Sequence, residues 1–341
     1  MAHNSVGADK EGALATLVQR NEAKRAAMAF FSTSAATFGF SPSLSPRMSP
    51  NAGIPIGEVV GVGLGAREAP NAGLAGEEVV RVYVTSKASL HKQIPKRFGA
   101  LHSDVVEVGD VVVSALLNTG QRMGRHRPTS CGVSVGHPRV TAGTLGCRVR
   151  MPDNSIYILS NNHVLANSNA TTIGDAIIQP GSYDGGTSPA DDIAKLSAFQ
   201  PIDFTGAAND FDAAIAQLDE SSDVESDIIE IGAPGKVAQL PNLYQSVRKH
   251  GRTTGHTVGV IVDTSVSLWI GFGSKKAWFQ DQIAIQGVGA AHFSAGGDSG
   301  SLIVDAVTSE PVGLLFAGSS SGLTFANPIG PVLNHFGVTI D

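Results

Sequence analysis

From about Met123 onward, short apolar runs recur roughly every 10 to 15 residues, with Gly, Pro, Asn and Asp between them. That rhythm is too short for packed helices and suits strands joined by tight turns. Few helical patterns interrupt it until Pro331 to Phe336. The chain is therefore expected to be mainly β, with an antiparallel barrel or sandwich architecture over residues 121–341. Apolar residues make up 42% of the sequence and charged residues 16%, enough to fill sizeable cores.

The first 120 residues read differently. Over residues 11–31, Leu14, Leu17, Val18, Ala23, Ala27 and Phe30 recur at helical spacing, which predicts a leading helix. Ser-Pro then repeats at 41–42, 45–46 and 49–50, so residues 1–55 form a helix followed by a Pro-rich arm. Residues 56–120 read as a small α/β unit. Glu58 to Leu64 and Glu77 to Thr85 are β-branched and partly alternating, as strands are. Ser86 to Lys96 reads as a short helix capped by Ser86. Asp104 to Leu117, broken by Gly109-Asp110, reads as a hairpin. The glycines of Gly61-Val62-Gly63-Leu64-Gly65 lack the strand–loop–helix setting of a nucleotide site and read as a strand end and turn.

Charge and cysteine content narrow the partners. A net charge of −6 without a Lys/Arg cluster argues against nucleic acid. No uninterrupted apolar run approaches the 18 or so residues of a spanning helix, so no membrane partner is expected. The polar start and the charged segment from Arg20 to Arg25 suit a helix rather than a signal peptide. Only Cys131 and Cys147 are present, and they read as reduced, partly buried thiols, in keeping with a cytoplasmic protein.

The chemistry concentrates in three places. Gly296-Gly297-Asp298-Ser299-Gly300-Ser301 sets a serine on a Gly-rich turn just before the apolar run Leu302 to Val304. Small neighbours leave a nucleophile open to attack and let backbone N–H groups point at a developing oxyanion. Upstream, Ser155 to Ser160 reads as a strand running into Asn161-Asn162-His163. Nine other histidines exist, and His163 is favoured by its flanking strand and its place before the serine. Asp212 begins the run Asp212-Ala213-Ala214-Ile215-Ala216-Gln217-Leu218; Asp210 and the pair Asp191 and Asp192 are its rivals.

Gly297-Asp298-Ser299-Gly300 resembles the nucleophile signature of the trypsin/chymotrypsin-like serine proteases. The strand into His163 is similar to their base segment, and Asp212-x-Ala214-x-x-x-Leu218 to their acid strand. The order His163, Asp212, Ser299, with gaps of 49 and 87 residues, is that of this class, whereas other serine hydrolases run Ser-Asp-His or Asp-His-Ser. Gly251-Arg252-Thr253-Thr254-Gly255 resembles a Gly-x-Thr-Thr-Gly hairpin of bacterial members. Secreted members tie that hairpin with a disulfide, where this chain has Arg248 and Val258. The resemblance covers roughly residues 125–341. Together with the α/β leader and the Ser-Asn-Asn-His segment it is most similar to the plant Narrow Leaf type and its bacterial relatives.

The resemblance implies a trypsin-like double β-barrel and an endopeptidase acting on protein or peptide substrates through an acyl-enzyme. His163 would serve as base, Asp212 as its orienting acid and Ser299 as nucleophile, with the N–H groups of Gly297 and Ser299 as the oxyanion hole. No metal or organic cofactor is called for. Phe293, six residues before the nucleophile, and Ser294 beside it would floor the primary pocket and favour an apolar or small residue. Phe316, Ala317 and Gly318 would offer the edge that pairs with an extended substrate. No activation site of the Arg/Lys-Ile/Val-Val/Ile-Gly-Gly kind is present, so Asp298 needs another partner. Regulation by the first 120 residues, or by self-association through them, is expected. The competing classes are a non-catalytic peptide-binding scaffold on the same fold and an esterase-like hydrolase.

Overall fold

The computed structural model describes residues 5–32, 58–67, 77–88, 90, 94–113, 121–289 and 292–341. The Pro-rich arm expected over 41–55 lies outside them. The leading helix α1 (Ser5–Ser32) begins earlier than its apolar period suggests. Ala23, Ala27 and Phe31, four residues apart, share one face of it and are buried. That face packs with Val62, Leu64, Val80, Val82 and Phe98 of the strands that follow. These are β1 (Val59–Ala66), β2 (Glu78–Val84), the short β3 (Arg97–Phe98), β4 (Leu101–Glu107) and β5 (Val111–Val112). β1 and β2 run antiparallel, and β4 lies parallel to β2.

Two expectations for this region are corrected. No helix forms among the described residues of 86–96. The Ser86 hydroxyl accepts the Ala88 N–H in a local turn, and Pro95 disfavours helical geometry in the residue before it. Nor do the described residues of that span, 104–113, make a hairpin. β4 pairs with β2 and β3, and the chain bends at Gly109, whose φ is +66°, to carry β5 to strands more than 150 residues away. The Gly61-to-Gly65 segment lies within β1. A side chain at Gly61 would strike Leu268 Cβ at 2.7 Å, which explains its glycine.

The remainder is mainly β, in two bodies. The first comprises β6 (Thr129–Cys131), β7 (Ser134–Val135), β8 (Gly143–Thr144), β9 (Cys147–Arg150), β10 (Ile156–Ser160), the one-turn helix α2 (Asn162–Leu165), β11 (Ala176–Ile178), β12 (Asp192–Phe199), β13 (Ala208–Asn209), β14 (Ala214–Leu218) and β15 (Val224–Ile228). Its main sheet runs β11-β12-β14-β10-β9 and is completed by a strand from the far end of the chain. β13 leaves this body to pair with the second. Cys131 and Cys147 sit in the first core as free thiols. Burial pushes the Cys131 thiol up to about 12 and that of Cys147 well above its usual range.

The second body comprises β16 (Ser246–Gly251), β17 (Gly255–Phe272), β18 (Lys275–Gly287), β19 (Leu302–Asp305), β20 (Pro311–Ser319) and β21 (Thr324–Pro328). After it come the helix α3 (Ile329–Phe336), close to the span expected for it, and β22 (Thr339–Ile340). α3 turns Ile329, Val332, Leu333 and Phe336 into the first core, and β22 pairs with β9. Arg248 and Val258 face each other across the β16–β17 hairpin. β17 also pairs with β1, so the leader's strands and the second body share one twelve-stranded sheet. α1 is keyed to the same sheet through buried Lys24, whose ammonium lies 2.7 Å from Asp281 and 2.8 Å from Ser265. No described helix is long and apolar enough to cross a membrane.

Candidate active site

The Ser299 turn is shaped by glycine at two positions. Gly297 has φ +93° and Gly300 φ +95°. A Cβ on Gly300 would lie 2.1 Å from Ser160 Oγ and 2.3 Å from the Thr144 carbonyl, so the turn closes against the first body only with glycine there. Thr144 then holds it twice. Its N–H donates to the Ser299 carbonyl at 2.7 Å and its hydroxyl to the Gly297 carbonyl at 2.8 Å. Ser299 itself is nearly buried, and its hydroxyl donates to the Phe316 carbonyl at 3.2 Å.

His163 and Asp212 meet because β10 and β14 are antiparallel neighbours. Ser160 at the end of β10 lies opposite Ala214 at the start of β14. His163 sits three residues beyond Ser160, in α2, and Asp212 two residues before Ala214. His163 Nδ1 is 2.5 Å from Asp212 Oδ2, and the His163 N–H donates to Oδ1 at 3.2 Å. An Nδ1 proton held by a carboxylate leaves Nε2 as the acceptor, the tautomer a general base requires. Asp212 has no exposed surface. Asn327 holds its backbone from both sides, accepting the Asp212 N–H at 3.1 Å and donating to its carbonyl at 3.1 Å. Asn161 donates to the same carbonyl at 2.8 Å. The Phe272 ring meets the imidazole edge-on, centroids 6.0 Å apart. Among the described residues no hydrogen bond joins Ser299 to His163; the serine hydroxyl turns to Phe316 instead.

Asp298, beside Ser299, is fully buried and amply bonded. Oδ1 accepts the N–H groups of Thr253 (2.8 Å) and Thr254 (3.1 Å). Oδ2 accepts the Thr254 hydroxyl (2.6 Å) and the Ala295 N–H (3.0 Å). The Lys249 ammonium, also fully buried, stands 3.4 Å from Oδ2. Burial pulls the Lys249 pKa down, while the Asp298 carboxylate acts against that pull. The Gly251-to-Gly255 turn thus cradles the Ser299 turn through Asp298. Arg252, buried in the same turn, is paired with Asp184 through Nε at 2.8 Å.

The other expected residues divide. Phe316, Ala317 and Gly318 lie on β20, with the Phe316 carbonyl against Ser299. The Phe293 side chain is out of reach of solvent, packed with Val247, Ile261, Ile283 and Ile285 in a core of the second body. Ser294 shares a 2.6 Å hydrogen bond with Thr324. Of the rival acids, Asp191 pairs with Arg125 and Asp192 with Lys195, while Asp210 lies in a loop whose carbonyl accepts from Gln282. No group of three or more His, Cys, Asp or Glu among the described residues is arranged to hold a metal. Asn161, Asn327, Phe272 and Lys249 went unread as parts of the site. The one signal lies in Arg248-Lys249-His250, a polar run where β16 enters the Gly251-to-Gly255 turn.

No family model matches the chain, and no curated protein matches it in sequence. Solved structures similar to it include Thermobifida fusca Protease A, 17% identical, with a TM-score of 0.44 over 62% of this chain and 98% of its own. Nocardiopsis Protease is 13% identical, with a TM-score of 0.43 over 62% of this chain and 97% of its own. Cellulomonas bogoriensis chymotrypsin is 14% identical, with a TM-score of 0.42 over 62% of this chain and 98% of its own.

Proposed function

We propose that this chain is a serine endopeptidase of the trypsin/chymotrypsin type, cleaving protein or peptide substrates through an acyl-enzyme. The observation that carries the reading is the buried Asp212 carboxylate bound to His163 Nδ1 at 2.5 Å, with Ser160, three residues before His163, against Gly300 of the glycine-shaped Ser299 turn. In this reading the Ser299 hydroxyl swings from the Phe316 carbonyl to His163 Nε2. The imidazole takes its proton as Oγ attacks the peptide carbonyl. The negative charge passes to the carbonyl oxygen, between the N–H groups of Gly297 and Ser299. Asp212 stabilises the imidazolium, which then returns the proton to the leaving amine. Water, deprotonated by the same imidazole, hydrolyses the acyl-enzyme and frees Ser299.

The finer features belong to the same proposal. The residue on the acyl side of the cut is apolar or small, since neither Phe293 nor Ser294 brings a carboxylate to the region. The narrower likeness to the plant Narrow Leaf type rests on the leader and the Ser160-Asn161-Asn162-His163 segment alone. Self-association runs through the N-terminal region, and the enzyme works in the cytoplasm, where two unpaired thiols persist.

A fluorophosphonate reagent, which needs only an activated serine, tests the chemistry. The parent should be labelled at Ser299 and should digest casein, and Ser299→Ala should do neither while keeping its melting curve. Digestion by Ser299→Ala at the parent's rate would sink the proposal. A peptide-library profile dominated by Lys or Arg on the acyl side would overturn the specificity.

A further inference from the structure

β20 has one fully paired edge and one interrupted edge. β21 covers the first from Gly313 to Gly318. On the second, β19 pairs as far as Leu314, and Leu315 exchanges bonds with Gly300 and Ser301. Next come Phe316, whose carbonyl holds the Ser299 hydroxyl, and then Gly318 and Ser319. Those last two positions are occupied by β5: Gly318 faces Val112 and Ser319 faces Val111, antiparallel. On its other side β5 is held by β17, with Gly271 opposite Val112 and the Val113 N–H donating to the Gly271 carbonyl at 3.1 Å. Successive residues of a strand present their N–H and C=O to opposite sides, so with Val113 turned to Gly271 the Val112 N–H and C=O face Gly318. Val112 therefore bridges the two walls of the cleft. Gly271 adjoins Phe272, the ring against His163, and Gly318 lies two residues, or about 7 Å, along the edge from Phe316.

We propose that β5 is a built-in occupant of the edge on which an extended peptide must pair, so that the leader competes with substrate at its own cleft. This rests on the protease reading above. The mode of pairing fits: β5 adds to β20 by strand pairing, as an extended peptide adds to an exposed sheet edge. The seating is specific. Val111 is buried among Tyr83, Phe279, Phe316 and Ala317. The Ser320 hydroxyl donates to the Val108 carbonyl at 3.3 Å, and the Ser320 N–H to that of Asp110 at 3.4 Å. Gly109 lies so close to Ser320 that a Cβ there would stand 2.0 Å from its hydroxyl. A peptide reaching only as far as Phe316 escapes the competition, and one long enough to need Gly318 must displace β5.

The test uses the full chain with Val112→Pro, which removes the N–H facing Gly318, and Gly109→Val, which cannot keep the bend. Three readouts are compared: fluorophosphonate labelling of Ser299, hydrolysis of a single-residue nitrophenyl ester, and cleavage of an eight-residue fluorogenic peptide library. Both variants should label and hydrolyse the ester at the parent's rate. They should cleave the long peptides with kcat/KM raised about tenfold, the gain lying in KM, as expected when a minor binding-competent fraction becomes the major one. Variants that label normally but gain nothing on long peptides would make β5 a fixed wall and overturn the proposal. A parent that fails to label would instead sink the protease reading. Should both substitutions prevent folding, Ser320→Ala, which removes only the hydroxyl bonded to Val108, carries the same comparison.

Discussion

Asp298 gains no partner from a newly cut chain end; it is bonded within the fold by two threonines, the Ala295 N–H and Lys249. Removing one member of a buried ion pair leaves the other charge without compensation, typically at a few kcal/mol. Lys249→Met is therefore expected to cost about 3 kcal/mol, read as a lower urea midpoint, and to slow labelling of Ser299 because its turn loses its anchor. Asp212→Asn should keep the fold and reduce turnover about ten-thousandfold, since the amide favours the wrong imidazole tautomer. Full activity in that variant would exclude the role given to Asp212. His163, Asp212 and Ser299 were legible because each sits in a local pattern of strand, polar turn or glycine. Asn327 was not. Its contact with Asp212 spans 115 residues, and one asparagine in a strand carries no period to mark it.

Among the elements, β22 is short yet tightly held. Asp341, just after it, accepts from Arg150 Nε at 2.8 Å and is also bound by Arg148. Burial alone would raise this carboxyl, but the two guanidiniums hold it below its usual range. A depressed acid stabilises the fold above its unfolded pKa of about 3.9, and the contribution vanishes as pH falls through the lower folded value. The parent should thus exceed Asp341→Asn in urea midpoint at pH 6, and the gap should shrink progressively as pH falls below the unfolded value of about 3.9. A gap independent of pH would assign the stability to something other than the carboxylate. Elements with local periods, such as α1, β1, β2 and α3, could be read from the sequence. β5 could not, because Val111-Val112-Val113 looks alike whether it folds back on its neighbour or crosses to β17 and β20. The choice is made by Gly109 and by strands far along the chain.

At the scale of the molecule, the leader belongs to the second body's sheet. β1 shields the edge of β17 from Asp263 to Leu268. A chain begun near residue 120 would leave that edge bare, with Val266, Leu268 and Ile270 close to it, and such edges recruit other chains. The truncated protein is expected to aggregate or self-associate on sedimentation where the full chain sediments as a defined species. A stable, monodisperse truncated protein would contradict the shared sheet. The sequence reading sets an N-terminal region apart from a β-rich remainder. The continuous sheet joining them could not be read, since register between distant strands leaves no trace in either one alone.

The return of α3 and β22 to the first body has a consequence for synthesis. β9 cannot gain its outer neighbour, nor the first core its Ile329, Val332, Leu333 and Phe336, until some 190 residues after β9 has been made. At translation rates of about 5–20 residues per second that is a wait of roughly 10 to 40 seconds. During it the first body stands with an open flank, and that flank closes only after β21, the last strand of the second body, has been made.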